Sequence, residues 1–239
     1  MFRILRYKSI DSTNSKAKRL LIKNSVILSE IQTAARGRFG RKWHSGSGGL
    51  WFSVTIKERK LLNPKFLTFI AAIAMHDAIK KVTGIAAPIK WPNDLLFDKK
   101  KLCGILTESV LGKENYFIIG IGLNVNNTLP LAVKNKATTL YYQLKLSGQK
   151  NVKMIDKEAI LKIFLKEFES CLGIYKRKQY DKILSAWKKR SDNIGKKAKV
   201  ITLSNKTYQG IIKSIDKEGN LLLKVKNDII KVEEADLFL

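Results

Sequence analysis

Hydrophobic and polar positions recur along this chain with two periods, and the switches between them mark out its elements. A short apolar N-terminal strand runs into Asp11-Ser12-Thr13-Asn14-Ser15, a cluster of helix-capping side chains, followed by a helical stretch from Lys16 to Lys23. Val26-Ile27-Leu28 has the continuous apolar character of a buried strand and leads through Gln32 into a basic loop without apolar periodicity. After Gly46-Ser47-Gly48-Gly49 the chain is strand-like again from Leu50 to Ile56. Between Pro64 and Val82 the spacing of Phe66, Phe69, Ile70 and Ile73 predicts an amphipathic helix with proline in its first turn. Three strand-like runs follow, near Leu95 to Phe97, Leu102 to Val110 and Tyr116 to Val125, with Asp98-Lys99-Lys100 as a charged turn, which makes a meander.

Ile160, Phe164, Phe168 and Leu172, widened by Leu161 and Leu165, predict a second helix over Asp156 to Tyr175, with further helix from Gln179 to Lys189. Beyond Ser191 the character changes to short β-runs at Ala198 to Leu203, Thr207 to Ile215, Leu221 to Val225 and Ile229 to Val232. Their turns carry Ser204-Asn205 and Glu218-Gly219-Asn220. The predicted class is α+β: a mixed β-sheet flanked by helices over residues 1–191, then a small β-barrel over residues 192–239.

Composition narrows this picture. An apolar content of 45% supports a sizeable core, and no run reaches the roughly 18 apolar residues of a membrane span. The N-terminus lacks a signal peptide's apolar run and cleavage site, and Cys103 and Cys171 stand far apart as core hydrophobes rather than a disulfide framework. A cytoplasmic protein without membrane attachment is expected. The net charge of +26 raises the reading of a basic nucleic-acid-binding protein, since a cationic surface releases counterions from phosphate backbones. The lysines are scattered, however, for instance at Lys80-Lys81 and Lys188-Lys189, as on a solvated surface. Weak adhesion to nucleic acid or attraction to an acidic partner stays open. His44 and His76 have no companions at zinc-site spacing.

The candidate chemistry lies in strand-loop junctions. Arg36-Gly37-Arg38-Phe39-Gly40-Arg41-Lys42-Trp43 sets guanidinium forks between glycines, an arrangement suited to a carboxylate or phosphate; the alternative is a flexible basic loop that binds nothing in particular. Its entropy and self-repulsion predict mobility over residues 35–48 until an anion binds. Ser12-Thr13-Asn14 caps a helix and can also face a ligand. Lys90-Trp91-Pro92-Asn93-Asp94 and Lys101-Leu102-Cys103-Gly104-Ile105-Leu106 carry more polar detail than packing needs. Gly120 and Gly122 within a strand, before Asn124, imply close approach by a ligand or another backbone.

In this order the segments resemble the biotin protein ligases, by motif over residues 7 to 140 and by arrangement to the C-terminus. The resemblance implies a catalytic domain like that of class II aminoacyl-tRNA synthetases with a C-terminal SH3-like barrel. It implies ATP-dependent ligation of biotin, through biotinyl-AMP, to a lysine of a biotin carboxyl carrier protein or domain of the acetyl-CoA carboxylase type, with ATP, biotin and Mg²⁺ required. Lys101, expected to be exposed at a strand start, would contact the biotin carboxylate and the α-phosphate, with Arg36 and Arg38 as the other catalytic groups. Ser12, Thr13, Asn14, Gln32, Gly37 and Trp43 would complete the biotin site, although Trp43 at a loop end can equally be an ordinary anchor. Arg41, Asn93 and Asp94 would serve the nucleotide, Asp94 could also hold Mg²⁺, and Asn124 would read the adenine edge. The rival within related chemistry is a lipoate protein ligase.

Three features depart from the family pattern. Ala35 stands where a glycine is usual, the segment after Asn126 lacks a tryptophan to cover the adenine, and the motifs begin at residue 12. The last of these predicts no sequence-specific DNA binding. A monomer and a homodimer are both compatible with the sequence.

Overall fold

The computed structural model describes residues 2–59, 63–149 and 151–239. The chain runs β1 (Arg3–Ile10), α1 (Thr13–Leu20), β2 (Ser25–Gln32), β3 (Leu50–Glu58), α2 (Pro64–Thr83), β4 (Ile89–Lys90), β5 (Asp94–Phe97), β6 (Lys100–Val110) and β7 (Asn115–Leu123). It continues through α3 (Leu140–Leu146), α4 (Lys157–Lys176), α5 (Tyr180–Arg190), β8 (Lys197–Thr202), β9 (Thr207–Ile215), β10 (Leu221–Val225), β11 (Asp228–Val232) and β12 (Ala235–Phe238). The first seven strands form one sheet in the order β1-β2-β3-β7-β6-β5-β4. The β1–β2 pair is parallel and its other pairs are antiparallel, so the sheet is mixed.

Local chemistry sets the element ends. Ser12 caps α1 by accepting from Ser15 N, which starts this helix at Thr13 rather than Lys16, and Leu21 ends it in the left-handed region. Asn63 Oδ1 accepts from Lys65 N with Pro64 behind it, and Gly84 closes α2 at φ 75°. The expected charged turn has Asp98 and Lys99 both at positive φ, the shape that joins β5 to β6 as a tight hairpin.

The helix expected to be amphipathic is buried on nearly every face. Every residue from Phe66 to His76 is inaccessible or almost so, because α2 packs against β6 and β7 as well as α4 and α5. From α4, Phe164 stacks on Phe168 at 5.6 Å and meets Phe52 edge-on at 5.1 Å. Burying each such ring contributes about 2–3 kcal/mol.

The C-terminal strands form a single antiparallel sheet in the order β11-β10-β9-β8-β12. No pairing joins the two edge strands among the described residues, so the expected barrel takes the form of a five-stranded sheet without a closing ladder. Its core is continuous with the first unit. Trp91 Nε1 donates to Gly219 O at 3.1 Å, the wholly buried Asn193 accepts from Trp91 N at 2.8 Å, and Phe69 lies so close to Gly219 that a Cβ there would stand 2.9 Å from its ring. This packing brings β12 to the mouth of the cleft described next.

Candidate active site

One open cleft collects Ser12, Thr13 and Asn14 from the start of α1, Gln32 from the end of β2, Arg36, Gly37, Arg38, Arg41 and Trp43 from the basic loop, Asn93 and Asp94 at the start of β5, and Lys101 from β6. Gly104, Gly120 and Gly122 form part of its wall. Asn124 is the one expected residue that does not line it. That side chain is buried at 3% exposure and accepts from Asn127 Nδ2 at 3.2 Å, tying down the turn after β7.

The inner end of the cleft is a network of amides and hydroxyls anchored at one side by the Glu108 carboxylate. Gln32 Oε1 accepts from Thr13 N at 2.7 Å, while its Nε2 donates to Ser45 Oγ at 2.9 Å, which fixes the amide orientation. Ser53 Oγ lies 2.7 Å from Thr13 Oγ1 and 2.6 Å from Asn14 Oδ1, and Asn14 Nδ2 donates to Glu108 Oε2 at 2.7 Å. Gly120 makes room for this amide, since a Cβ there would stand 2.1 Å from Asn14 Oδ1. Gly122 does the same for Trp43, whose Nε1 would be 2.5 Å away. The close approach inferred from these glycines is therefore made by two side chains.

The backbone of the basic loop bonds to itself. Gly37 N donates to Arg41 O at 2.7 Å, Trp43 N donates to Ala35 O at 3.0 Å, and Arg36 and Lys42 form an antiparallel bridge. Phe39 and Gly40 reverse the chain at φ 58° and 70°. The Phe39 ring lies beneath two guanidiniums, with Arg38 at 4.6 Å and Arg41 at 5.4 Å from its centroid. Across the units, Arg41 pairs through both nitrogens with the Asp236 carboxylate, which holds the Asp236 pKa below the usual carboxylate range. Arg38 Nη1 faces Ala235 O at 3.3 Å and Asn93 Oδ1 at 3.4 Å. Burial pushes the Arg38 pKa down, while the fields of Glu234, Asp94 and Asp236 oppose that shift. Its Nη2 is buried with no hydrogen-bond partner, a donor left for an incoming acceptor.

Lys101 is not the exposed lysine expected from the sequence. Its side chain is 32% exposed, and its Nζ sits 2.7 Å from Asp94 Oδ1 and 5.1 Å from the Trp43 ring centroid. Trp43 in turn meets Trp51 edge-on at 6.4 Å. Lys90, nearby, has its pKa lowered by burial against the opposing field of Asp94. Lysines 90 and 101 thus place two cations beside one carboxylate, a balance that a bound anion would improve. Cys103, next but one to Lys101, is buried at 0% exposure, which pushes its thiol pKa far up and makes it an inert core residue. His76 is likewise used in packing, with Nδ1 2.6 Å from Ala87 O and a pKa lowered by burial.

With this geometry, the family model for the biotin/lipoate A/B protein ligase family matches residues 7–126, the stretch that supplies nearly the whole cleft. A bifunctional ligase/repressor BirA of Bacillus spizizenii is 35% identical over 97% of this chain and 72% of its own length. The chain belongs to this family. Among other ligases of the family, a biotin–[acetyl-CoA-carboxylase] ligase of Paracoccus denitrificans is 30% identical, covering 90% of this chain and 91% of the relative. A biotin protein ligase from Aquifex aeolicus, solved in complex with biotin and ATP, superposes with a TM-score of 0.87 at 27% identity, over 99% of this chain and 97% of that one. Both units therefore share a known ligase fold. No helix among the described residues is long and apolar enough to cross a membrane.

Sequence reasoning missed Ser53, Glu108 and Asp236. Ser53 and Glu108 are 39 and 94 residues from the Asn14 they position, and Asp236 is 195 from Arg41. Ser53 lies in the continuously buried run of β3, and a hydroxyl in so apolar a strand was the one available signal.

Proposed function

We propose that this ligase joins biotin to AMP and passes the biotinyl group to a lysine of a biotin carboxyl carrier domain. The observation that carries the reading is the cleft's polarity along its length: a neutral amide-and-hydroxyl floor at Ser12, Thr13, Asn14 and Gln32, braced from beneath by Ser53, and a cationic mouth at Lys101, Arg38, Arg36 and Arg41. A neutral ureido ring with a carboxylate on an alkyl chain has that same distribution.

The residues then divide the work. The fixed amides and hydroxyls orient the ureido group, and Trp43 with Ile105, Leu106 and Ile121 supplies apolar wall. Lys101 exchanges Asp94 for the biotin carboxylate and holds it against the α-phosphate of ATP. As the carboxylate attacks, charge grows on the phosphoryl oxygens and the departing pyrophosphate, where the free Nη2 of Arg38 and the forks of Arg36 and Arg41 can neutralise it. Asn93 and Asp94, beside Arg38 and Lys101, flank the nucleotide. Mg²⁺ would arrive on the phosphates, with Asp94 as its protein carboxylate; the described residues include no group of three or more acidic, His or Cys side chains that would form an independent cage. Asn124, set away from the cleft, acts on the turn rather than as a wall residue.

Two experiments follow. Incubated with ATP, biotin and an apo carrier domain, the protein should label one carrier lysine, and replacing that lysine by arginine should abolish the label; labelling that ignores this substitution would refute the reading. Gly120→Ala should weaken biotin binding by about tenfold to a hundredfold, because the new methyl displaces Asn14 and its hydrogen bonds. Gly112→Ala, where the nearest atom is 3.9 Å from the new Cβ, should leave it unchanged. Calorimetric titration of both variants with biotin checks this.

A further inference from the structure

A second cavity abuts the cleft, sharing Arg38, Asn93, Ile105 and Leu106 with it. It opens between the two units, with Phe39, Phe69, Trp91 and Pro92 as apolar wall and Glu233 and Glu234 at its edge. Both glutamates are exposed, and neither makes a hydrogen bond or ion pair among the described residues. Two adjacent carboxylates of this kind make a local acidic spot in a chain with 46 Lys and Arg against 20 Asp and Glu. The cations facing the cavity are Lys65, whose ammonium is committed to Asn220, and Arg38.

We propose that this cavity is the entry path of the acceptor lysine in the second half-reaction. The proposal rests on the ligase reading above and names where its second substrate approaches. A lysine side chain is an apolar stem carrying a cation, which matches an aromatic sleeve with an acidic rim. Pyrophosphate or a nucleotide would meet repulsion from Glu233 and Glu234, and a purely apolar ligand would gain nothing from them. The charge balance also favours the reaction order. In the empty protein Arg38 and Lys65 offset the two carboxylates; once the adenylate phosphate engages Arg38, the rim is left with net attraction for an ammonium.

The step balances without a further reagent. The incoming ammonium loses one proton at the rim to solvent, and the nitrogen lone pair attacks the acyl carbon of biotinyl-AMP. The bond from that carbon to the phosphate oxygen breaks, AMP leaves as an anion, and a second amine proton is lost as the amide forms.

The test uses the intact protein with biotinyl-AMP formed in place, chased either with Nα-acetyl-lysine methylamide or with hydroxylamine, a nucleophile that is neutral at neutral pH and has no alkyl stem. Glu233→Lys/Glu234→Lys should slow aminolysis by the lysine amide about tenfold, Glu233→Gln/Glu234→Gln by less, and neither should alter attack by hydroxylamine on adenylate already formed. Equal slowing of both nucleophiles, or of neither, would overturn the proposal. Failure of the unaltered protein to form biotinyl-AMP would instead overturn the ligase reading and this inference with it.

Discussion

Replacing Lys101 by alanine is expected to slow formation of the acyl-adenylate by about a hundredfold to a thousandfold while the protein stays folded. Lys101 is held between Asp94 at 2.7 Å and the Trp43 ring, so its ammonium is already oriented before substrate arrives. Its loss removes the cation that brings two anions, carboxylate and α-phosphate, into contact. The same geometry argues for a small effect on stability, because the pair is partly solvated, with side-chain exposures of 32% and 17%, and such pairs contribute little. Pyrophosphate release and a thermal melt, measured on the same preparation, separate the two effects. Lys99→Ala and Lys100→Ala serve as controls in the adjoining turn. If either of those abolishes pyrophosphate release and Lys101→Ala does not, the catalytic lysine has been misassigned.

Arg38→Ala should act on retention more than on binding of biotin. The Arg38 guanidinium is buried beside Asn93 and the Ala235 carbonyl and carries one donor without a partner, which the phosphate of the intermediate can fill. A charge-assisted bond of this kind contributes about 1.5–3 kcal/mol, so the adenylate should dissociate about tenfold to a hundredfold faster from the variant. Biotin affinity alone should change less, since its ureido partners lie at the other end of the cleft. Rapid gel filtration of the complex followed by quantification of retained adenylate gives the number. A variant that retains the intermediate as long as the parent would show that Arg41 or Lys101 holds the phosphate unaided.

What could be seen in the sequence was whatever is encoded locally. The stripe Ile160, Phe164, Phe168 and Leu172 marks α4 because one helix face repeats every four residues, and each of these side chains is buried at 8% exposure or less. The strands β9 and β10 were bounded at their observed ends by turn residues on either side. Three elements escaped this logic. The helix α3 has seven residues, too few for a periodic stripe, and only the cap from Thr139 to Tyr142 N announces it. The two-residue β4 is too short to show a period and pairs with the neighbouring β5, and the four-residue β12 is held by β8, distant in sequence. The burial of α2 on all sides was also hidden, since its alanines read as filler until α4 and α5 cover them.

The site follows the same division. Motifs identify Arg38, Lys101 and Gln32 by residue type and spacing, but the groups that orient them are tertiary neighbours. Asp236 reaches Arg41 only because the second sheet docks beside the cleft, and that docking depends on contacts such as Trp91 with Gly219. The placement of Asn124 was hidden for a related reason: it follows a glycine-bearing strand that lines the cleft, while its own side chain meets Asn127. The turn geometry of the basic loop was hidden as well, because backbone bonds such as Gly37 N to Arg41 O have no signature in side-chain composition.

The central claim is that this cleft activates biotin in preference to lipoate. The direct test is to incubate the protein with ATP, Mg²⁺ and an equimolar mixture of biotin and lipoate, then identify the acyl-adenylate by mass. The account predicts biotinyl-AMP with one pyrophosphate released for each adenylate formed. Lipoyl-AMP as the main product, or no adenylate with either acid, would contradict it.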